Sequence, residues 1–348
     1  MQHRLLRWLP AAVAPVVVAG VVAVPLVAAA TPPELPTRSA QQVLELVAKA
    51  KDVEGFSGTI KQTSDLGLGS IPTVGAGTDS STASALELIT GDHTAKVSVA
   101  GATKERVAVL DPSAERDVIR NGRTVWVWNS KTNSATKVTA TGTARPDADP
   151  TTTSPAELAS RLLAEVRPST AVTVDTAQSI AGRDAYTLVL RPRTAATTVG
   201  SVRIAVDAKT GLPLDVQVIA RGASSPAFET GFTDISYAVP AASTFAFTPP
   251  ADAKVTEKTI TAPDRATRDH RALPAKPVVS GSGWATVVTL PAADVPSDLA
   301  SNPTVRRLTE PVAGGRVLKT ALVNVLLTDD GRVLAGAVPV AALESAAG

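Results

Sequence analysis

Residues 115–138 read ERDVIRNGRTVWVWNSKTNSATKV, and the fold turns on this stretch. Two runs of β-branched and aromatic residues flank Asn121-Gly122, a dipeptide that tolerates the left-handed backbone of a two-residue hairpin turn. A third run follows across Lys131-Thr132-Asn133. Side chains alternate along a strand, so Trp126 and Trp128 share one face and Val125 and Val127 the other. Both faces are apolar, which predicts a sheet packed on one side and turned to a sheltered cavity on the other.

The same punctuation extends both ways. Strands are expected near 84–90, 94–100, 104–110, 115–120, 123–129 and 135–139, parted by Thr90-Gly91-Asp92, Ala100-Gly101 and Asp111-Pro112. Upstream, Ser39 reads as an N-cap. Val43, Leu44, Val47 and Ala50 recur at helical spacing, so 39–51 is expected to be an amphipathic helix ended by Gly55. A strand at 56–63 and a long Gly/Ser/Thr-rich loop at 64–83 follow. Downstream of the polar loop 140–153, Ser154-Pro155 opens a second helix bearing Leu158, Leu162, Leu163 and Val166. Further strands are expected at 171–178, 184–191, 201–207, 213–220 and 228–238, with Asp207–Gly211 as a short hairpin loop and Phe245–Pro250 closing the unit. The predicted class is mainly β (α+β): a curved antiparallel sheet or half-open β-barrel with a helical lid over residues 31–250.

Pro263, Pro274 and Pro277 mark 251–282 as a linker. Beyond it, 283–348 reads as a small C-terminal α+β unit: a strand at 284–290, an irregular segment or short helix at 291–303, strands at 316–328 and 332–338, and a helical tail.

Residues 1–30 have the form of an export signal. His3, Arg4 and Arg7 precede an uncharged apolar run from Trp8 that ends in Ala28-Ala29-Ala30. Cleavage near Thr31 is favoured over an uncleaved anchor because Pro10, Pro15 and Pro25 interrupt the run. An extracytoplasmic location is expected, membrane-anchored if uncleaved. Without Arg4 and Arg7 the chain carries 32 basic and 32 acidic residues, so its charge gives no reason to expect a nucleic-acid partner. It has no cysteine, which excludes disulfides, thiolate catalysis and lipidation at a mature N-terminal cysteine. Three histidines, His3, His93 and His270, fall in the signal, a turn and the linker. No metalloprotease, serine-hydrolase or phosphate-loop motif is present, and no enzyme, cofactor or metal site is expected.

In order, the helix and first strand (37–63), the Asn-Gly hairpin with its Trp-bearing strand (115–138), IAGRDAYTLVLRPR (180–193), VRIAVDAKTGLPLDVQV (202–218) and FTDISY leading to FAFTPPADAKV (232–255) resemble the LolA/RseB superfamily of bacterial envelope proteins. The resemblance covers about 37–255 and implies a half-open barrel with a helical lid over an apolar cavity. LolA-type members carry lipoprotein acyl chains. RseB-type members are two-domain sensors that regulate a membrane anti-sigma factor. The expected function is a non-enzymatic binding protein that shelters a lipid or lipoprotein acyl chain, with an RseB-like sensor of a membrane-bound protein partner as the alternative.

The residues expected to line the cavity are Trp126, Trp128, Phe56, Tyr186, Leu188, Ile204, Phe232 and, on the lid, Leu158 and Leu162. An ordinary packed core uses the same stripes. Arg183, Arg191 and Arg193 are read as solvated strand ends in preference to a head-group site.

Overall fold

A computed structural model describes residues 33–68, 91–111, 114–141, 168–261, 277–295, 299 and 301–348. The expected export signal, most of the expected 64–83 loop, the expected 84–90 strand and the expected second helix with Leu158 and Leu162 lie outside these residues.

Among the described residues twelve strands form one large curved sheet that does not close. They are β1 (Gly55–Ser64), β2 (His93–Ala100), β3 (Lys104–Asp111), β4 (Ala114–Asn121), β5 (Thr124–Asn129), β6 (Ser134–Thr141), β7 (Thr170–Ile180), β8 (Arg183–Pro192), β9 (Val199–Asp207), β10 (Pro213–Ala220), β11 (Pro226–Ser236) and β12 (Lys254–Thr261). The order is β12-β6-β5-β4-β3-β2-β1-β11-β10-β9-β8-β7. Two antiparallel meanders, β1–β6 and β7–β11, are thus joined side by side by the β1–β11 pair, with Ser64 opposite Phe228 and Ser57 opposite Ser236. The hairpin expected at Asn121-Gly122 forms with its two turn residues one position later, Gly122-Arg123: Asn121 pairs with Thr124, and Gly122 takes φ 63°.

Helix α1 (Ala40–Lys49) starts with a reciprocal cap: the Ser39 hydroxyl accepts from the Gln42 amide, and the Gln42 side chain accepts from the Ser39 amide. Its Val43 and Leu46 pack on Tyr186, Leu188 and Val206 of β8 and β9. The helix comes so close to the β9–β10 turn that a Cβ on Gly211 would sit 1.9 Å from the Leu46 carbonyl oxygen. Gly211 also has φ +76°, a region costly to other residues. Gly211→Ala is therefore expected to cost about 1–3 kcal/mol, read as a lower urea midpoint; an unchanged midpoint would mean that helix and turn do not make this contact.

Lys254–Thr261 falls where a linker was expected, yet it is strand β12, paired in parallel with β6 at the sheet edge. Its sequence, KVTEKTIT, alternates with β-branched residues, a signal outweighed by the prolines that follow. Asn133, in the left-handed region at φ 46°, ties the start of the pairing: its side-chain amide donates to Asp252, and its carbonyl oxygen accepts from the Lys254 amide. To reach that edge, residues 237–253 run as a strap across the sheet face opposite α1: Val239 and Pro240 lie over Gly55, and Thr244 accepts from Arg106.

A six-stranded sheet follows among the described residues, ordered β13 (Val278–Ser280), β14 (Val287–Leu290), β18 (Val333–Gly336), β17 (Asn324–Thr328), β16 (Gly315–Leu318) and β15 (Glu310–Val312). Two helices accompany it, α2 (Pro303–Leu308) and α3 (Val340–Ala347), the latter burying Leu343 against Val287, Val317, Leu326 and Leu334. The strand expected over 316–328 is two strands. The Thr320 hydroxyl accepts from the Leu322 and Val323 amides, and Asn324 accepts from the Thr320 amide, which folds 319–323 into a tight turn. This unit docks on the ends of β9, β10 and β11. Leu322 and Trp284 pack with Val199, Ala220 and Phe228, Trp284 donates to Thr170 at 2.7 Å, and Thr197 donates to the Ala337 carbonyl at 2.6 Å.

Candidate functional site: the apolar face of the large sheet

Following the register from strand to strand separates the two faces of the sheet. Leu188 stands opposite Ile204, Ile204 opposite Val216, Val216 opposite Thr230 and Thr230 opposite Gln62. Four residues back along β1, Gly58 leads through Val97, Val107 and Val118 to Val127. This is the face on which α1 lies. Its apolar rows are interrupted by Thr230, Gln62 and His93 and, on either side of Val107 and Val118, by Glu105, Arg116 and Arg120. Near β8 and β9 the helix buries it. At its centre Phe56 meets Phe232 edge to face, ring centroids 6.0 Å apart. Toward β4 and β5 it opens, and Val118 and Val127 are 45% and 44% exposed.

Five of the expected cavity residues, Phe56, Tyr186, Leu188, Ile204 and Phe232, lie on this face. The tryptophans do not. Trp126 stands opposite Ile119 and Trp128 opposite Asp117, on the face crossed by the strap. There Phe247 packs against both, with centroids at 5.4 and 5.9 Å. Trp128 is only 8% exposed. Beside them lie the fully buried Phe245 and the Arg106–Asp117 ion pair. The aromatic stripe is thus the seat of the strap, and the valines between the tryptophans belong to the open apolar face. The open-face residues that the reading passed over are Val97, Val107, Val118 and Val127; their period-two spacing was the available signal.

The arginines do not cluster. Arg183 opens β8, while Arg191 and Arg193 are exposed at its other end. Arg183 donates to Asp207 at 2.8 Å and lies over the Tyr237 ring. Asp207 also accepts from the Tyr237 hydroxyl and from the Lys209 and Thr210 amides. Although burial alone would raise its pKa, these donors hold its carboxyl below the usual range.

Two carboxyls on the strap side are pushed the other way. Burial, helped by Glu229, raises Asp215 to about 7. Burial, opposed by Arg106, raises Asp117 to about 6. Asp215 therefore holds its proton more tightly folded than unfolded, so stability falls as pH rises from 3.8 to about 7 and levels off above that. Asp215→Asn is expected to flatten thermal stability across this window and to gain roughly 1–3 kcal/mol at pH 8. Melting curves between pH 4 and 8 test this; a variant with the wild-type slope would show that Asp215 is not the titrating group.

Among the described residues, no group of three or more His, Asp and Glu side chains is placed to hold a metal ion. No described helix is long and apolar enough to cross a membrane.

The architecture is that of a mainly β protein with a large curved, unclosed sheet and few helices. The solved structures it resembles include a MucA/MucB complex from Pseudomonas aeruginosa, at 17% identity over 88% of this chain and 96% of that chain, with a TM-score of 0.44. A LolA superfamily protein from Nitrosomonas europaea shares 12% identity over 61% of this chain and 99% of that one, with a TM-score of 0.23. A putative outer membrane lipoprotein-sorting domain from Vibrio parahaemolyticus shares 8% identity over 57% and 92%, with a TM-score of 0.22. No family model matches the sequence, and no curated protein matches it.

Proposed function

We propose that this chain is a non-enzymatic binding protein of the cell envelope, exported through residues 1–30, that shelters an acyl chain against the α1-bearing face of its large sheet. The observation that carries the reading is the apolar row running from the Phe56–Phe232 pair to the half-exposed Val118 and Val127. Each Å² of such surface removed from water contributes about 25 cal/mol, so an alkyl chain gains affinity here without a charged partner. The lining in this proposal is Phe56, Phe232, Val97, Val107, Val118 and Val127, with Tyr186, Leu188 and Ile204 as the floor beneath α1.

Titration with a fluorescent fatty-acyl probe tests it. Val127→Asp should weaken binding by roughly tenfold or more, because the carboxylate must be desolvated under the ligand. It should scarcely alter unfolding, since the position is half exposed. Wild-type affinity in both Val127→Asp and Val118→Asp would remove the acyl chain from this face.

A second reading, a two-unit regulator that grips a membrane-bound protein partner, is favoured by the C-terminal sheet. Its outer face leaves Val279, Val288 and Leu290 exposed. A chain that ignores the probe yet retains a membrane protein through Val288 and Leu290 would be of this second kind.

A further inference from the structure

A cavity of about 210 Å³ lies where the segment leading into α1 crosses the adjoining ends of β8 and β9. Three cations, Arg38, Arg183 and Lys209, line it together with Tyr186, Asp184 and Asp207. The crossing is fixed by Tyr186, whose hydroxyl donates to the Pro36 carbonyl at 2.9 Å and accepts from Arg38 Nε at 3.2 Å. The Arg38 guanidinium carbon is 5.5 Å from the Tyr186 ring centroid, so the ring holds that side chain at the cavity wall.

Asp207 pairs with Arg183 through Nε and, among the described residues, leaves Arg38 and Lys209 without a paired carboxylate. Its Oδ2 accepts from Arg183 Nε and the Tyr237 hydroxyl, and its Oδ1 from the Lys209 and Thr210 amides. Asp184 is exposed and forms no ion pair with any of the three. Among the described residues, no carboxylate pairs with Arg38 or Lys209. The Nη groups of both arginines and the Lys209 ammonium are thus uncommitted donors around one small space. Three cations against two carboxylates leave the lining with an excess of positive charge, which an oxyanion offsets. Guanidinium groups match the oxygens of a phosphoryl group two at a time, while an ammonium adds a point charge.

We propose that this cavity binds a phosphoryl group through Arg38, Arg183 and Lys209. The site is independent of the acyl reading, because it lies beside α1 and uses none of the open-face valines.

The test is calorimetric titration of inorganic phosphate into the full mature chain, alongside co-sedimentation with vesicles of phosphatidic acid or of phosphatidylcholine alone. Wild type should bind one phosphate per chain. Arg38→Gln and Lys209→Gln should each weaken it about tenfold, while Lys96→Gln on β2 should not. The Lys209 ammonium forms no hydrogen bond or ion pair with a described side chain, so Lys209→Gln should keep the wild-type melting temperature and separates loss of the site from loss of the fold. Phosphate binding without vesicle retention assigns a soluble phosphate ligand. Retention on phosphatidic acid that phosphate competes away assigns a lipid head group. Wild type that binds neither, or a Lys209→Gln variant that binds phosphate as wild type does, overturns the proposal. The valine variants should leave phosphate binding unchanged, so failure of the acyl reading and failure of this one are told apart.

Discussion

Replacing Trp128 by alanine is expected to cost about 3–5 kcal/mol of stability and to leave the affinity for a fatty-acyl probe unchanged. The side chain is buried under the strap, against Phe247, on the face away from α1. Its loss opens a void beneath the segment that delivers β12 to the sheet edge. Denaturant titration and probe binding on the same variant give both readouts. A variant of wild-type stability with weakened probe binding would put Trp128 in the ligand site after all. Trp126 is less deeply buried, and Lys137 lies 5.7 Å from its ring. Its replacement by alanine should act in the same direction with smaller size.

Asp207→Ala is expected to cost about 3–5 kcal/mol, the range for breaking one side of a buried ion pair. The carboxylate is almost fully buried and takes four hydrogen bonds. Without it the Arg183 guanidinium, the Tyr237 hydroxyl and two turn amides lose their acceptor together. The pH course separates this effect from simple loss of packing. Because Asp207 has a folded pKa below its ordinary 3.8, its contribution is present above that value and lost as pH falls through the depressed one. The gap between wild type and variant should thus be full at neutral pH and shrink in strong acid. A loss that is the same at pH 7 and in strong acid would mean that the ionised carboxylate is not what stabilises the turn.

Most strands were legible because turn chemistry brackets them: Asn121-Gly122, Asp207–Gly211 and Asp329–Gly331 each lie between runs of period two. Which face of a strand points where was not legible. Val125 and Val127 alternate with Trp126 and Trp128, and local sequence makes both stripes apolar. The choice is made by Phe245 and Phe247, far along the chain, which cover the tryptophan stripe and leave the valines open. Strand β12 was hidden for a related reason. Parallel pairing with β6 needs a long crossover, so no hairpin turn announces it. The cation-lined cavity was hidden because Arg38 and Lys209 come from different segments and meet only once α1 has docked.

The β1–β11 pair has a consequence for how the chain folds. Thr233 donates its hydroxyl to the Thr59 carbonyl across 174 residues of sequence. Each meander can zip up from its own hairpins as soon as it is made, but the seam between them waits for β11. Contacts this distant slow folding, since the intervening chain must first be confined. A chain emerging N-terminus first therefore carries β1 with one edge unsatisfied until two thirds of it has been synthesised. Under the proposed export through residues 1–30, what stays open during synthesis is the seam edge of β1, not the hairpins on either side of it.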